Sequence, residues 1–219
     1  MRKKTTIALL MSFMLLISVM PVYASELNMR SPIIYDTVSF NAVNDIELQH
    51  EVLSAAVRNN INLDIAQITI YENGIIVFFE PFGDLQFSDE ATEDYFYGLQ
   101  RSPQSAPTTQ SPNGNYWYFE GRASQATTFF TNHYVMGSSR YDLVVNNTGT
   151  GSIQARVRER SRGIFGLFTF NIHDVDIAVG GSTTATNIPA GSGNAVYVRF
   201  NPTGSRNDST IFNGSIKGH

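Results

Sequence analysis

The stretch Ser152-Ile-Gln-Ala-Arg-Val-Arg-Glu-Arg-Ser-Arg162 decides the fold of this 219-residue chain, because apolar and polar side chains alternate along it. Successive side chains of a strand point to opposite faces of a sheet. We therefore predict a strand with one apolar face and one face that carries a row of arginines. The apolar face requires a second layer of sheet. The candidate ligand-binding residues of the row are Arg156, Arg158 and Arg160.

The chain after residue 115 supplies short strands for that second layer. Turn residues rich in glycine, asparagine and proline separate most of the apolar runs, and helical periodicity is absent between them. This pattern predicts antiparallel pairing and a β-sandwich over residues 116–219. The predicted strands are 116–120, 127–130, 141–145, 153–158, 168–172, 175–179, 183–188, 195–200 and 211–216.

A small α/β segment is predicted at residues 25–100. Asn44 and Glu47 have the spacing of a capping box before apolar residues at helical intervals. Asn73-Gly74 separates two β-type runs and predicts a hairpin. Residues 88–97 resemble a short acidic helix, and the proline-containing residues 101–115 are predicted to be a linker. The predicted fold class is thus mostly β, with a C-terminal antiparallel sandwich preceded by a helix plus hairpin.

Residues 1–24 have the pattern of a secretory signal peptide, with three basic residues, an apolar run and small residues before the predicted cleavage site. The alternative is an uncleaved membrane anchor, but the run is shorter than the ~20 residues that a spanning helix needs. No other stretch is apolar enough to cross a membrane. The sequence predicts a secreted, extracellular protein of bacterial type. Without the leader, 12 basic residues face 19 acidic ones, a formal charge of -7.

The sequence does not indicate a catalytic motif, a cofactor or a metal site. It lacks cysteine, a nucleophile elbow and a phosphate-binding loop, and Ser54 stands where a zinc-protease helix starting at His50 would need its second histidine. Asp174 and Asp176 share one strand face and could bind calcium with further oxygen ligands, although solvent-facing strand residues are the favoured interpretation. Paired carboxylates, such as Glu47 with Glu51, leave a secreted hydrolase as an alternative.

Trp117, the only tryptophan, lies in the aromatic run Tyr116-Trp-Tyr-Phe119. An exposed indole ring would form a stacking platform for a ligand. In a sandwich, the same alternation more often places one set of rings in the core. Trp117 is therefore a fourth candidate ligand-binding residue, with a core position as the alternative.

The arginine row suggests the function. Alternate side chains of a strand lie about 7 Å apart, close to the spacing of phosphates on a polyanion, and arginine binds phosphate through paired hydrogen bonds. The leading hypothesis is an envelope-associated binding module whose partner is an anionic cell-envelope polymer or an acidic protein; no specific nucleic acid is indicated. In the structural alternative, the arginines would protect an edge strand from unwanted pairing. The other alternative is a secreted toxin or membrane-active protein that uses residues 163–170.

Overall fold

The computed structural model describes residues 33–35, 45–83, 105–124, 127–163, 166–204 and 209–219. The predicted signal peptide and the predicted acidic helix lie outside these residues. The helix is α1 (Ile46–Asn59), and the strands are β1 (Ile33–Tyr35), β2 (Gln67–Ile70), β3 (Ile76–Pro81), β4 (Tyr116–Ser124), β5 (Phe129–Phe130), β6 (Arg140–Asn147), β7 (Ile153–Gly163), β8 (Gly166–Ile177), β9 (Gly181–Pro189), β10 (Ala195–Pro202) and β11 (Ser209–Gly218).

Two antiparallel sheets form a sandwich, which confirms the predicted fold class. The larger sheet has the strand order β1-β2-β3-β9-β6-β11-β4, and the smaller sheet has the order β5-β10-β7-β8. Neighbours in both sheets are mostly distant in sequence, as the pairing of β4 with β11 illustrates. The order of the strands therefore depends on long-range packing.

The core lies between the two sheets. Ile153, Ala155 and Val157 of β7 are fully or almost fully buried, as the alternation predicts. At one end of the core, the rings of Phe200 and Phe212 have centroids 4.7 Å apart, and Phe129 stacks on both at 5.0–5.3 Å. These rings come from both sheets, so the aromatic cluster holds the two layers together.

Helix α1 packs on the outer side of the larger sheet. Asp45 is its N-cap and accepts a hydrogen bond from the backbone N–H of Leu48 at 3.1 Å. The cap is therefore one residue later than the predicted Asn44, which lies outside the described residues. At the other end, Asn60 takes a left-handed conformation with φ 55° and donates its backbone N–H to the last turn, in agreement with the predicted stop.

The predicted hairpin is present, with Gly74 at φ 80° in the turn between β2 and β3. β3 also pairs with β9 over six residues, so the hairpin belongs to the larger sheet of the sandwich. Val52 and Ala55 of α1 are buried against Ile68 and Phe78 of this hairpin. The division at residues 101–115 stays a prediction.

A buried carboxylate joins the end of α1 to the larger sheet. Asp142, 4% exposed, accepts hydrogen bonds from Arg58 Nε at 2.7 Å and Asn59 Nδ2 at 2.9 Å. The backbone N–H of Asn187, a residue with φ 60°, donates to the same carboxylate at 3.0 Å. His219 Nδ1 lies 3.7 Å away. The Asp142 side chain thus contacts polar groups of α1, β9 and His219.

The two strands predicted at 168–172 and 175–179 are a single strand, β8. Its pairing with β7 shifts by one residue, because Val157 lies opposite His173 while Arg158 lies opposite Asn171. Ile172 is the extra residue of this bulge. A bulge changes which residues share a face, so a strict alternation read along the sequence is interrupted here.

Candidate ligand-binding face

Strand β7 lies between β10 and β8 in the smaller sheet. The interpretation of its arginines as protection of an edge strand is therefore wrong, since both sides of β7 already have a hydrogen-bonded neighbour. Arg156, Arg158 and Arg160 alternate with the buried residues of β7 and so lie on the outer face of the sheet. The structure brings these three candidate residues onto one surface.

A fourth arginine joins them from β10. Arg199 lies directly opposite Arg156, and Tyr197 lies opposite Arg158. Directly opposite residues of adjacent strands lie about 5 Å apart between their Cβ atoms. We call the surface formed by Arg156, Arg158, Arg160 and Arg199 the arginine face.

The charges of the arginine face are only partly balanced. Arg156 Nε lies 3.4 Å from a carboxylate oxygen of Asp174 and 3.0 Å from Gln154 Oε1. Within the described part of the chain, Arg158 and Arg199 form no ion pair, and the Nε atom of each is buried without a hydrogen-bond partner. Like charges directly opposite each other destabilise a sheet. Among the described residues, Asp174 is the acid that offsets the repulsion between Arg156 and Arg199, and it contacts only Arg156 of the two.

One end of the arginine face is covered. The Arg160 guanidinium lies 5.2 Å from the ring centroid of Tyr197, and its Nη1 donates to the backbone carbonyl of Pro107 at 3.0 Å. Tyr197 is only 2% exposed although it belongs to the outer side of the sheet. Arg160 is therefore partly committed to internal contacts.

On the opposite side of β8 lies a buried histidine. His173 is 7% exposed, and its ring contacts that of Tyr71 edge-on at a centroid distance of 5.2 Å. Burial lowers the pKa of His173 to about 4, although the nearby Asp174 carboxylate acts in the opposite direction. Burial also raises the pKa of Tyr71. The imidazole is thus neutral at pH 7 and contributes no charge beneath the arginine face.

Trp117 is not part of the arginine face. It lies on β4, in the larger sheet, where it packs partly buried against the core. Its indole Nε1 donates to Asn132 Oδ1 at 2.9 Å, and its ring centroid lies 4.0 Å from that of His133. The structure therefore separates this candidate residue from the three arginines, and its proposed ligand contact stays a prediction.

Only one of the predicted acidic pairs, Asp174 with Asp176, lies beside the arginine face. Glu51 accepts a hydrogen bond from Asn187 Nδ2 at 3.1 Å, at the contact between α1 and the sheet. Asp174 and Asp176 lie on the outer face of β8, and His173 lies on its other side, as predicted. Among the residues that the structure describes, no group of three or more histidine, aspartate or glutamate side chains could hold a metal ion.

Arg199 is the residue that the sequence analysis missed. The run Ala195–Phe200 is readable as a strand, and alternation places Arg199 on its polar side. The pairing of β10 with β7 joins segments about 40 residues apart, and the pattern within a strand does not specify its neighbour. A search for strands with outward arginines would have found the residue, although not its position beside Arg156.

Comparisons with known proteins identify no family. No family model matches the sequence, and no curated protein matches it. One solved structure that matches contains the CBM22-1 and GH10 modules of the Clostridium thermocellum N-terminal endo-1,4-beta-D-xylanase 10B complexed with xylohexaose. The alignment has 16% identity and a TM-score of 0.30, and it covers 50% of this chain and 24% of that chain. A likeness of this extent carries no information about a ligand.

Proposed function

We propose that this chain is an exported binding module whose arginine face holds an anionic polymer. The observation that carries the proposal is the direct opposition of Arg156 and Arg199, with Arg158 beside them. A polymer bearing phosphate, sulfate or carboxylate groups would neutralise these charges and supply acceptors for their N–H groups. The bound polymer would thus offset the repulsion between Arg156 and Arg199 that is present in the unliganded chain.

The spacing of the arginines favours a polymer over a single small anion. Positions two residues apart on β7 are separated by about 7 Å, and the neighbouring strand lies about 5 Å away. Successive charged groups of an extended polymer could therefore contact several guanidinium groups at once. Asp174 and Asp176 border the row on the β8 side. Their repulsion of an anion would place the polymer over β7 and β10.

The acidic net charge of the predicted mature chain does not prevent this binding. Exposed charges farther apart than about 8–10 Å are largely screened at physiological ionic strength. Binding therefore depends on the local set of four arginines. The same screening makes the proposed affinity sensitive to salt.

Export to the cell envelope or its surroundings is part of the proposal. It is supported by the leader pattern of residues 1–24 and by the absence of cysteine, which suits a fold that does not depend on redox conditions. Among the described residues, the structure contains no helix with the length and apolar character needed to cross a bilayer.

Affinity electrophoresis through gels that contain dextran sulfate tests the ligand proposal. The test uses the chain from Ser25 onward, which keeps every described residue. Retardation should be strong at low salt and should weaken as salt is added. Substitution of Arg158→Gln and Arg199→Gln together should reduce retardation and lower the slope of log affinity against log salt by about one per arginine that contacts the polymer.

The matched control is Arg140→Gln with Lys217→Gln, which removes the same two charges from exposed positions of the larger sheet. This control should retain most of the retardation, and gels with neutral dextran should not retard any variant. Equal weakening by both double variants would show that only net charge matters and would overturn the proposal. Thermal unfolding of the Arg158→Gln/Arg199→Gln variant should be unchanged or occur at higher temperature, because two unpaired charges are removed.

A further inference from the structure

Three exposed apolar side chains lie on β8 close to its connection with β7. Leu167, Phe168 and Phe170 are 66%, 41% and 50% exposed, respectively, and the rings of Phe168 and Phe170 stack at a centroid distance of 6.5 Å. Each side chain lies on a regular strand whose backbone is paired with β7. Exposed aromatic and aliphatic residues that cluster in this way commonly mark an interaction surface.

The bulge at Ile172 determines on which face of the sheet these residues lie. Without it, Phe168 and Phe170 would share the outer face with Asp174; with it, they lie opposite Ser161 and Glu159, on the side that faces the larger sheet. They are nevertheless exposed, so this end of the hairpin extends past the cover that the larger sheet provides. Alternation places Leu167 on the other side of the hairpin. An exposed apolar side chain thus lies on each face of this part of β8.

The sequence of residues 160–171 carries a positive formal charge. From Arg160 to Asn171 the sequence contains two arginines and lacks aspartate and glutamate. Glu159 lies at the base, where its carboxylate accepts hydrogen bonds from the backbone N–H of Gly191 and the side chain of Asn194. Glu159, the acid that immediately precedes this segment in the sequence, is therefore held by the β9–β10 turn. The cationic side chains of the segment have no acid within the segment itself.

We propose that Leu167, Phe168 and Phe170 of β8 insert into the interface of an anionic lipid bilayer. A flat protein partner would cover one face of a hairpin, whereas a bilayer surrounds an inserted end on both faces. Aromatic side chains suit the boundary between headgroups and acyl chains, and flanking arginines attract anionic headgroups. Leu167, Phe168 and Phe170 are not part of the arginine face, although Arg160, one of the two flanking arginines, belongs to that face.

Sedimentation with vesicles tests the proposal, using the chain from Ser25 onward. Vesicles that contain phosphatidylglycerol should bind the chain, and vesicles of phosphatidylcholine alone should bind it more weakly. The variant Leu167→Ser/Phe168→Ser/Phe170→Ser should lose about tenfold or more in partitioning, because the burial of apolar surface is removed. The control Val57→Ser/Val179→Ser changes residues that are 82% and 44% exposed elsewhere and should bind as the unmodified chain does.

A second measurement reports on insertion itself. Phe170→Trp adds an indole at the hairpin end, and its emission should shift to shorter wavelength with phosphatidylglycerol vesicles after subtraction of the signal from Trp117. Failure to bind these vesicles, or equal binding by the triple-serine variant, would overturn the proposal. A lipid-free dimer that the triple-serine variant does not form would assign the surface to a second copy of the chain and would also overturn it. Retardation by dextran sulfate should be the same for the triple-serine variant, which separates this test from that of the arginine face.

Discussion

Replacement of His173 by phenylalanine should remove an acid-sensitive part of the stability of the sandwich. His173 is buried beside Tyr71 with its Nε2 lacking a hydrogen-bond partner among the described residues, so protonation would place a charge in the core that the nearby Asp174 carboxylate offsets only in part. Burial lowers its folded-state pKa to about 4 from 6.5. The unfolded chain therefore takes up the proton first, and stability falls as the pH decreases from about 6.5 towards 4.

The size of the effect follows from the two pKa values. At pH 5 the unfolded histidine is almost fully protonated and the folded one is mostly neutral, which corresponds to a loss of about 2 kcal/mol relative to pH 7.5. Phenylalanine does not take up a proton in this pH range. The His173→Phe variant should therefore lose about 2 kcal/mol less than the unmodified chain over the same range.

Urea denaturation at pH 7.5 and pH 5.0, followed by circular dichroism, measures this difference. Other titrating groups are common to both chains, so their contributions cancel when the two pH-dependent losses are subtracted. Any change in packing caused by the phenylalanine ring is present at both pH values and cancels as well. Equal losses for the two chains would refute the inference that the folded structure holds His173 neutral. A midpoint near 6.5 for this imidazole in an NMR titration of the folded chain would refute it independently.

Two further substitutions test contacts of the larger sheet. Asp142→Ala should destabilise the chain by about 3 kcal/mol, because it leaves the partly buried Arg58 guanidinium without its ion-pair partner; chemical denaturation measures the loss, and a cost below about 1 kcal/mol would contradict the contact. Gly214→Ala should cost about 2 kcal/mol or more, since a Cβ atom there would meet the backbone carbonyl of Val144 and the ring of Phe119. An unchanged thermal unfolding temperature in Gly214→Ala would show that β11 can shift away from β6.

Features determined by short-range alternation could be predicted from the sequence. Ile153, Ala155 and Val157 are buried, and Arg156 and Arg158 lie on the other face, because a strand has a period of two wherever its pairing is regular. The turn at Gly74 could be predicted for a similar reason, since it depends on the backbone preference of adjacent residues.

Features that depend on strand neighbours could not be predicted. The sequence does not indicate that β10 lies beside β7, so the position of Arg199 opposite Arg156 required the structure. The bulge at Ile172 reverses the faces on which residues 167–171 of β8 lie. Because the sequence does not show how β8 pairs with β7, it predicted two separate strands in place of β8. The position of Trp117 could not be predicted either, because the aromatic run 116–119 is compatible with an exposed stacking platform and with the edge of a core.

The hydrogen bonding of β3 to β9 has a consequence for any proteolytic maturation of this protein. Excision of residues 25–100 would leave β9 bonded only to β6, with a row of unsatisfied amides and carbonyls from Gly181 to Thr186. Such a row is a template for recruitment of another chain. Cleavage alone, with the fragments still associated, would preserve the β3–β9 pairing, whereas departure of the fragment would expose the edge of β9 to another chain.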